Sequence, residues 1–168
     1  MTIFGDKFTD SNEILFLVDI DGFQVSDCPQ TKYLTKELAV FTILTLSVGL
    51  FRFRLHRSIN SLKPGNLKSA NYCKHHVHGL QFRDYRHDLN QKSVKYLISR
   101  LVAEANNRSM YIAYKGGDIE RDLLTDAHAD RIINIEVYRP TCPKFEVLLN
   151  QPESVSYTHL TLPTIYSV

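Results

Sequence analysis

Asp19 and Asp21 stand two residues apart at the end of an unbroken apolar run, Ile14-Leu15-Phe16-Leu17-Val18, and their type and spacing suit phosphoryl-transfer chemistry. If the run is a strand that continues through Asp21, side chains alternate and both carboxylates project from one side. Two acids so placed repel each other unless a cation lies between them. Hard carboxylate oxygens, with the rest of the shell left to water and phosphate, are what Mg2+ or Mn2+ takes in such a site. The same pair reads equally well as capping or turn acids where a strand closes.

Three other groups carry weaker signals. Cys73-Lys74-His75-His76-Val77-His78 gathers one thiol and three imidazoles, the ligands zinc favours. Its spacing is more compact than paired zinc ligands use, so a small zinc-binding domain would need Cys73 and at least two of the histidines to converge. The plainer reading is a helix end and turn, with His75 and His76 at the surface and His78 held by the backbone beside Gly79. Lys63, Lys68, Lys74, Arg83, Arg86 and Lys92 are interleaved with Tyr72, Phe82 and Tyr85. Cations among aromatics suit a single strand of nucleic acid, phosphates to the charges and bases to the rings, although most such segments are solvated faces. Lys115-Gly116-Gly117 could cradle a phosphate at a helix start, yet it lacks the full phosphate-loop spacing and reads more simply as a turn.

The elements that must position these residues follow from hydrophobic periodicity. Residues 14–18 have the pattern of a central strand buried on both faces and ending at a functional edge. Residues 33–43 and 48–55, joined by a turn at 45–47, read as an antiparallel hairpin, with strict alternation in Phe51-Arg52-Phe53-Arg54-Leu55. Pro64-Gly65 opens a helix running towards His76. Residues 91–106 form the clearest helix, with Val94, Leu97, Ile98, Leu101, Val102 and Ala105 in one stripe. A strand over 110–114, a helix over 118–127 and a last isoleucine-rich strand over 131–137 complete the order β-β-β-α-α-β-α-β. Antiparallel strands followed by alternating helix and strand imply an α/β fold with a mixed sheet.

Composition bounds these readings. With 43% hydrophobic residues, 23% charged residues, nine tyrosines and nine phenylalanines, the chain is globular and long enough for one sizeable core. A net charge of +2 gives no bulk electrostatic argument for a nucleic-acid or membrane partner. The apolar run 38–51 is too short to cross a bilayer as a helix and is read as buried strands, so no membrane partner is expected. Cys28, Cys73 and Cys142 lack a disulfide-framework spacing, and the first residues show no secretory signal, which points to an intracellular setting.

Taken in order, Phe16-Leu-Val-Asp-Ile-Asp-Gly-Phe23, Lys36-Glu-Leu-Ala-Val40, His78-Gly-Leu80 and Tyr111-Ile-Ala-Tyr-Lys-Gly-Gly-Asp-Ile-Glu-Arg-Asp-Leu-Leu124 resemble the succession of blocks in the DEDD 3'-5' exonucleases of the ribonuclease-H-like fold. They are also similar to strings in uncharacterised arthropod proteins linked to mobile elements. The exonuclease resemblance implies a ribonuclease-H-like mixed sheet flanked by helices, with Asp19 and Asp21 as catalytic acids and metal ligands for Mg2+ or Mn2+. It puts His78 at the border of the substrate groove, while the basic–aromatic stretch and the Lys115 turn make Lys74, Arg83 and Lys115 the candidate contacts to a single-stranded nucleic acid. This sequence departs from the pattern in three ways. The family's Glu of the first block is Asp21. The acid that begins its last-but-one helix aligns on Ile119, so Asp118 is the candidate third catalytic acid, one place out of register. The family's final block, a His and an Asp supplying the general base and the fourth ligand, would fall beyond Asn150.

Residues 155–164, Val-Ser-Tyr-Thr-His-Leu-Thr-Leu-Pro-Thr, resemble the translation of a transposase-type sequencing adapter, so 155–168 is expected to be an artefactual tail behind a single C-terminally truncated domain, 1–154. Hydrolysis by this chain is therefore not expected; a complete parent reads either as a metal-dependent exonuclease or as an eroded one that only binds. The alternative is a catalytically dead module that binds nucleic acid or protein.

Overall fold

The computed structural model describes residues 11–25 and 33–138; Cys28, Cys142 and the expected tail lie outside the described residues. Five strands form one sheet in the order β3-β2-β1-β4-β5. β1 (Ile14–Gln24) is central, β2 (Tyr33–Thr42) pairs with it antiparallel, and β3 (Ser47–Arg52) pairs antiparallel with β2. On the other side β4 (Tyr111–Tyr114) runs parallel to β1, and β5 (Ile132–Asn134) runs parallel to β4. The mixed α/β sheet expected from the sequence is therefore present, with the hairpin strands first and the parallel strands after.

β1 outlasts the apolar run because the alternation persists: Ile20 is buried between exposed Asp19 and half-buried Asp21. α2 (Lys92–Asn107) buries Val94, Ile98, Val102 and Ala105 against Phe16, Val18, Ile20, Leu38 and Val40. Each of these side chains larger than alanine contributes about 1.5–3 kcal/mol on leaving water. α3 (Asp118–Asp126) adds Leu124 to the same core. α1 (Pro64–Tyr72) covers a second cluster, Phe23, Val25, Leu34, Leu55, Leu62, Ala70 and Phe82.

Three expected elements are corrected. The strand over 48–55 ends at Arg52, because beyond it the chain turns to a new neighbour: Phe53 forms a parallel bridge with Leu89, and His56 adopts a positive φ of 54°. The helix towards His76 is α-helical only to Tyr72 and finishes in a wider π-helical turn, Cys73–Val77, in which the Cys73 carbonyl accepts from the His78 amide. The last strand, expected over 131–137, stops at Asn134, and Ile135–Tyr138 is a helical turn, α4. Asparagine is a favoured residue immediately before a helix, which the isoleucine content of the segment concealed.

Candidate functional site

The site forms where β1 outruns β4. The parallel pairing ends at Val18 opposite Tyr114, so among the described residues the edge of β1 beyond it has no strand partner on that side. Glu120 of α3 fills the gap: its Oε1 accepts a hydrogen bond from the Ile20 amide at 3.4 Å, linking residues 100 apart in sequence. Glu120 is buried, whereas Asp19 is exposed and Asp21 half-buried. On the β2 side, Glu37 lies opposite Asp21 in the antiparallel register, so Asp19, Asp21 and Glu37 share one face of the sheet.

The electrostatics agree with this gathering. Loss of water at the strand end raises the Asp19 carboxyl above its ordinary value; Asp21 raises it further, and Lys115 opposes both. Asp21 is raised by loss of water and partly relieved by His78. Glu37 is raised by loss of water and by Asp21, with Arg52 pulling the other way. Burial raises Glu120, its backbone hydrogen bonds counter that, and Asp19 and Asp21 add to the rise. Tyr33 faces the same acids; its hydroxyl donates to the Ile20 carbonyl at 3.5 Å, and burial and then Asp21 drive its pKa strongly upward, so it stays a neutral donor.

The sheet bulges between Asp21 and Gly22. The Gly22 carbonyl meets His78 Nε2 at 2.9 Å, and His78 Nδ1 accepts from the Leu80 amide at 3.0 Å. With Nδ1 accepting from the Leu80 amide, the tautomer of the neutral ring that fits carries its proton on Nε2 and donates it to the Gly22 carbonyl. Phe23 packs edge-on to that ring at 5.1 Å and to Phe82 at 4.8 Å. His78 is thus held by the backbone beside Gly79, as the plainer sequence reading had it. It borders Asp21, with both ring nitrogens occupied.

The other expected residues are placed as follows. Asp118 is not brought to Asp19 and Asp21: its side chain is 78% exposed and pairs with Arg121 at 2.9 Å. Glu120, two positions on and so about 200° around the helix, is the acid that turns inward. Ile119, where the family's acid would align, packs against the core. Lys115 lies near Asp19, Lys74 is half-buried in the π-helical turn, and the Arg83 guanidinium carbon lies 4.7 Å from the centroid of the Tyr85 ring. Of the interleaved aromatics, Phe82 is buried in the second core cluster and Tyr72 is exposed, its ring 5.0 Å from that of His76. Among the described residues no three His, Cys, Asp or Glu side chains converge closely enough, as they stand, to hold a metal ion. No helix among the described residues is long and apolar enough to cross a membrane.

Glu37, Glu120 and Tyr33 were not anticipated. Glu37 carried a signal, since it sits in the Lys36-Glu-Leu-Ala-Val40 block, but its alignment with Asp21 depends on strand register. Glu120→Gln keeps an oxygen for the Ile20 amide and removes the charge. It is expected to stabilise the fold at neutral pH by about 0.5–2 kcal/mol, as relief of unfavourable charge commonly does. A carboxyl whose folded pKa is raised favours the fold at low pH, and that contribution is lost as pH rises through the raised value. The advantage of Glu120→Gln over wild type should therefore shrink as pH falls back towards the ordinary carboxylate value of 4.5, in denaturant titrations run across that range. A variant less stable than wild type at every pH would contradict this account of the cluster.

Comparison of the chain with protein-family models, with curated proteins and with solved structures finds no match.

Proposed function

We propose that this is a ribonuclease-H-like, exonuclease-like nucleic-acid-processing domain, with Asp19 and Asp21 as the pair that would hold Mg2+ or Mn2+. The observation that carries the reading is the placement of these two carboxylates on one side of the central strand's end, with Glu120 entering from α3. The donor set is of the type a hard divalent cation takes: carboxylate oxygens raised above their ordinary values by loss of water and, at Asp19 and Glu120, also by neighbouring carboxylates. Bound there, such an ion would supply charge neutralisation for phosphate oxygens. The mixed sheet, the Lys115 neighbourhood of Asp19 and the His78 border of the acid site support the same reading.

The general base and fourth ligand implied by the resemblance fall beyond Asn150, outside the described residues, so hydrolysis is not part of the proposal. Binding without catalysis is favoured by the outward turn of Asp118 and its pairing with Arg121. Calorimetric titration of Mn2+ tests the metal reading. Wild type is expected to show a saturable site, and Asp19→Asn/Asp21→Asn is expected to lose it. No saturable binding, or binding unchanged in the double variant, would overturn the assignment.

A further inference from the structure

Two segments about thirty residues apart are joined side by side. Leu89 exchanges backbone hydrogen bonds with Arg52 and Arg54, both at 2.7 Å. The Asp84 carboxylate accepts from the Leu55 amide at 2.6 Å and the His56 amide at 3.1 Å, and Arg54 Nη2 donates to the Arg86 carbonyl at 2.9 Å. This junction brings together four exposed arginines, Arg52, Arg54, Arg83 and Arg86, and the half-buried Tyr85. The guanidinium carbons of Arg83 and Arg52 lie 4.7 and 5.4 Å from the centroid of that ring. The acids within these two segments are engaged in the fold: Asp84 holds the two backbone amides, and Asp88 is buried against Lys36, while Glu37 of β2 faces Arg52. Cross-strand register then puts Arg52 beside Glu37, and Glu37 beside Asp21, in one row along the sheet face.

We propose that this arginine surface, centred on Tyr85, binds the phosphodiester backbone of single-stranded nucleic acid at the Arg52 end of the Arg52–Glu37–Asp21 row, beside the carboxylate site. The inference rests on the nucleic-acid reading given above and names where its strand lies. Guanidinium forks match phosphate oxygens, and stacking on an aromatic ring restricts their rotamers before the ligand arrives, which lowers the ordering cost of binding. Guanidinium planes beside a ring also suit the unpaired bases of a single strand.

The test is fluorescence anisotropy of a labelled oligothymidylate with the full chain in EDTA, where no divalent ion contributes. Wild type is expected to bind, and Arg52→Ala/Arg83→Ala to bind at least about tenfold more weakly. Its salt dependence should be shallower by about 1.4 in log–log slope, at about 0.7 for each single-strand phosphate that an arginine no longer neutralises. Arg100→Ala/Arg131→Ala is the matched control. It removes the same charge from two other arginine–tyrosine pairs, Arg100 on Tyr96 at 5.9 Å and Arg131 on Tyr111 at 5.5 Å, and is expected to change affinity less than about twofold. If the alanine double variant melts early, Arg52→Lys/Arg83→Lys keeps the charge, and is expected to retain the salt slope while losing part of the affinity. Absence of wild-type binding, equal losses in the two alanine pairs, or equal competition by polyglutamate would overturn the proposal. Because the measurement excludes metal, oligonucleotide binding without a Mn2+ site would remove the carboxylate reading alone, and a Mn2+ site without oligonucleotide binding would remove this one alone.

Discussion

Lys36→Met is expected to destabilise the fold by about 3–5 kcal/mol, the cost of leaving a buried charge without its partner. Lys36 is 1% exposed, its Nζ contacts Asp88 Oδ2 at 2.5 Å, and it also donates to the Phe53 carbonyl at 3.0 Å. Removing the ammonium strands a carboxylate whose other ligand is the Tyr85 amide at 3.0 Å, and it orphans the Phe53 carbonyl oxygen as well. Replacing both members, as Lys36→Met/Asp88→Leu, should recover much of the loss, because a well-packed apolar pair does not carry the desolvation cost of two ions. Urea denaturation of the two single variants and the double variant closes the cycle. Independent, additive losses would mean that the pair is not coupled in the way its geometry implies. The interaction also ties β2 to the segment carrying Arg83 and Tyr85.

Gly22→Ala is expected to prevent normal folding, or to cost at least the upper end of the roughly 1–3 kcal/mol typical of overpacking. A Cβ there would lie 2.1 Å from the Leu34 carbonyl oxygen and 3.0 Å from the Lys36 amide nitrogen. Both neighbours are backbone, so no change of rotamer relieves the clash. The bulge at Asp21/Gly22 would have to open, which would displace Asp21 and release His78 from the Gly22 carbonyl. Circular dichroism and thermal melting check this; a variant melting within a degree or two of wild type would show that the strands can separate there cheaply. By contrast Gly65 and Gly117 have no atoms within 4 Å of a built Cβ, so alanine at either should meet no comparable obstacle.

The sequence was most informative where a local pattern and the tertiary arrangement call for the same thing. The stripe of α2 was readable because its period matches one buried helix face, and the central strand because an apolar run between turn residues has few other uses. That Asp19 and Asp21 share a side follows from alternation alone once the strand reaches Asp21. Glu120 could not be found in this way. Its inward position depends on β4 stopping at Tyr114 and on the rotation of α3, and neither leaves a local signature; Asp118, at the helix start, was the more conspicuous acid. Arg52 and Arg54 were read as the polar half of a strand alternation. Their company with Arg83 and Arg86 depends on the Leu89 bridge, which no pattern within either segment specifies. The turn of the chain into α4 was hidden because isoleucine favours strands while Asn134 favours a helix start, and neighbouring structure decides between them.

The parallel pairing of β1 with β4 also sets an order of events. β1, β2 and β3 can zip together from neighbours in sequence, whereas β4 must return across residues 25–110, a closure with a large entropic cost before any pairing rewards it. Until it arrives, one side of β1 is an unpaired strand edge, and the Ile20 amide has not met Glu120. During synthesis Asp19, Asp21 and Glu37 therefore emerge early, but the site they form with Glu120 is assembled late. The interval between the two is when the young chain is most exposed to pairing with a neighbour instead of with itself.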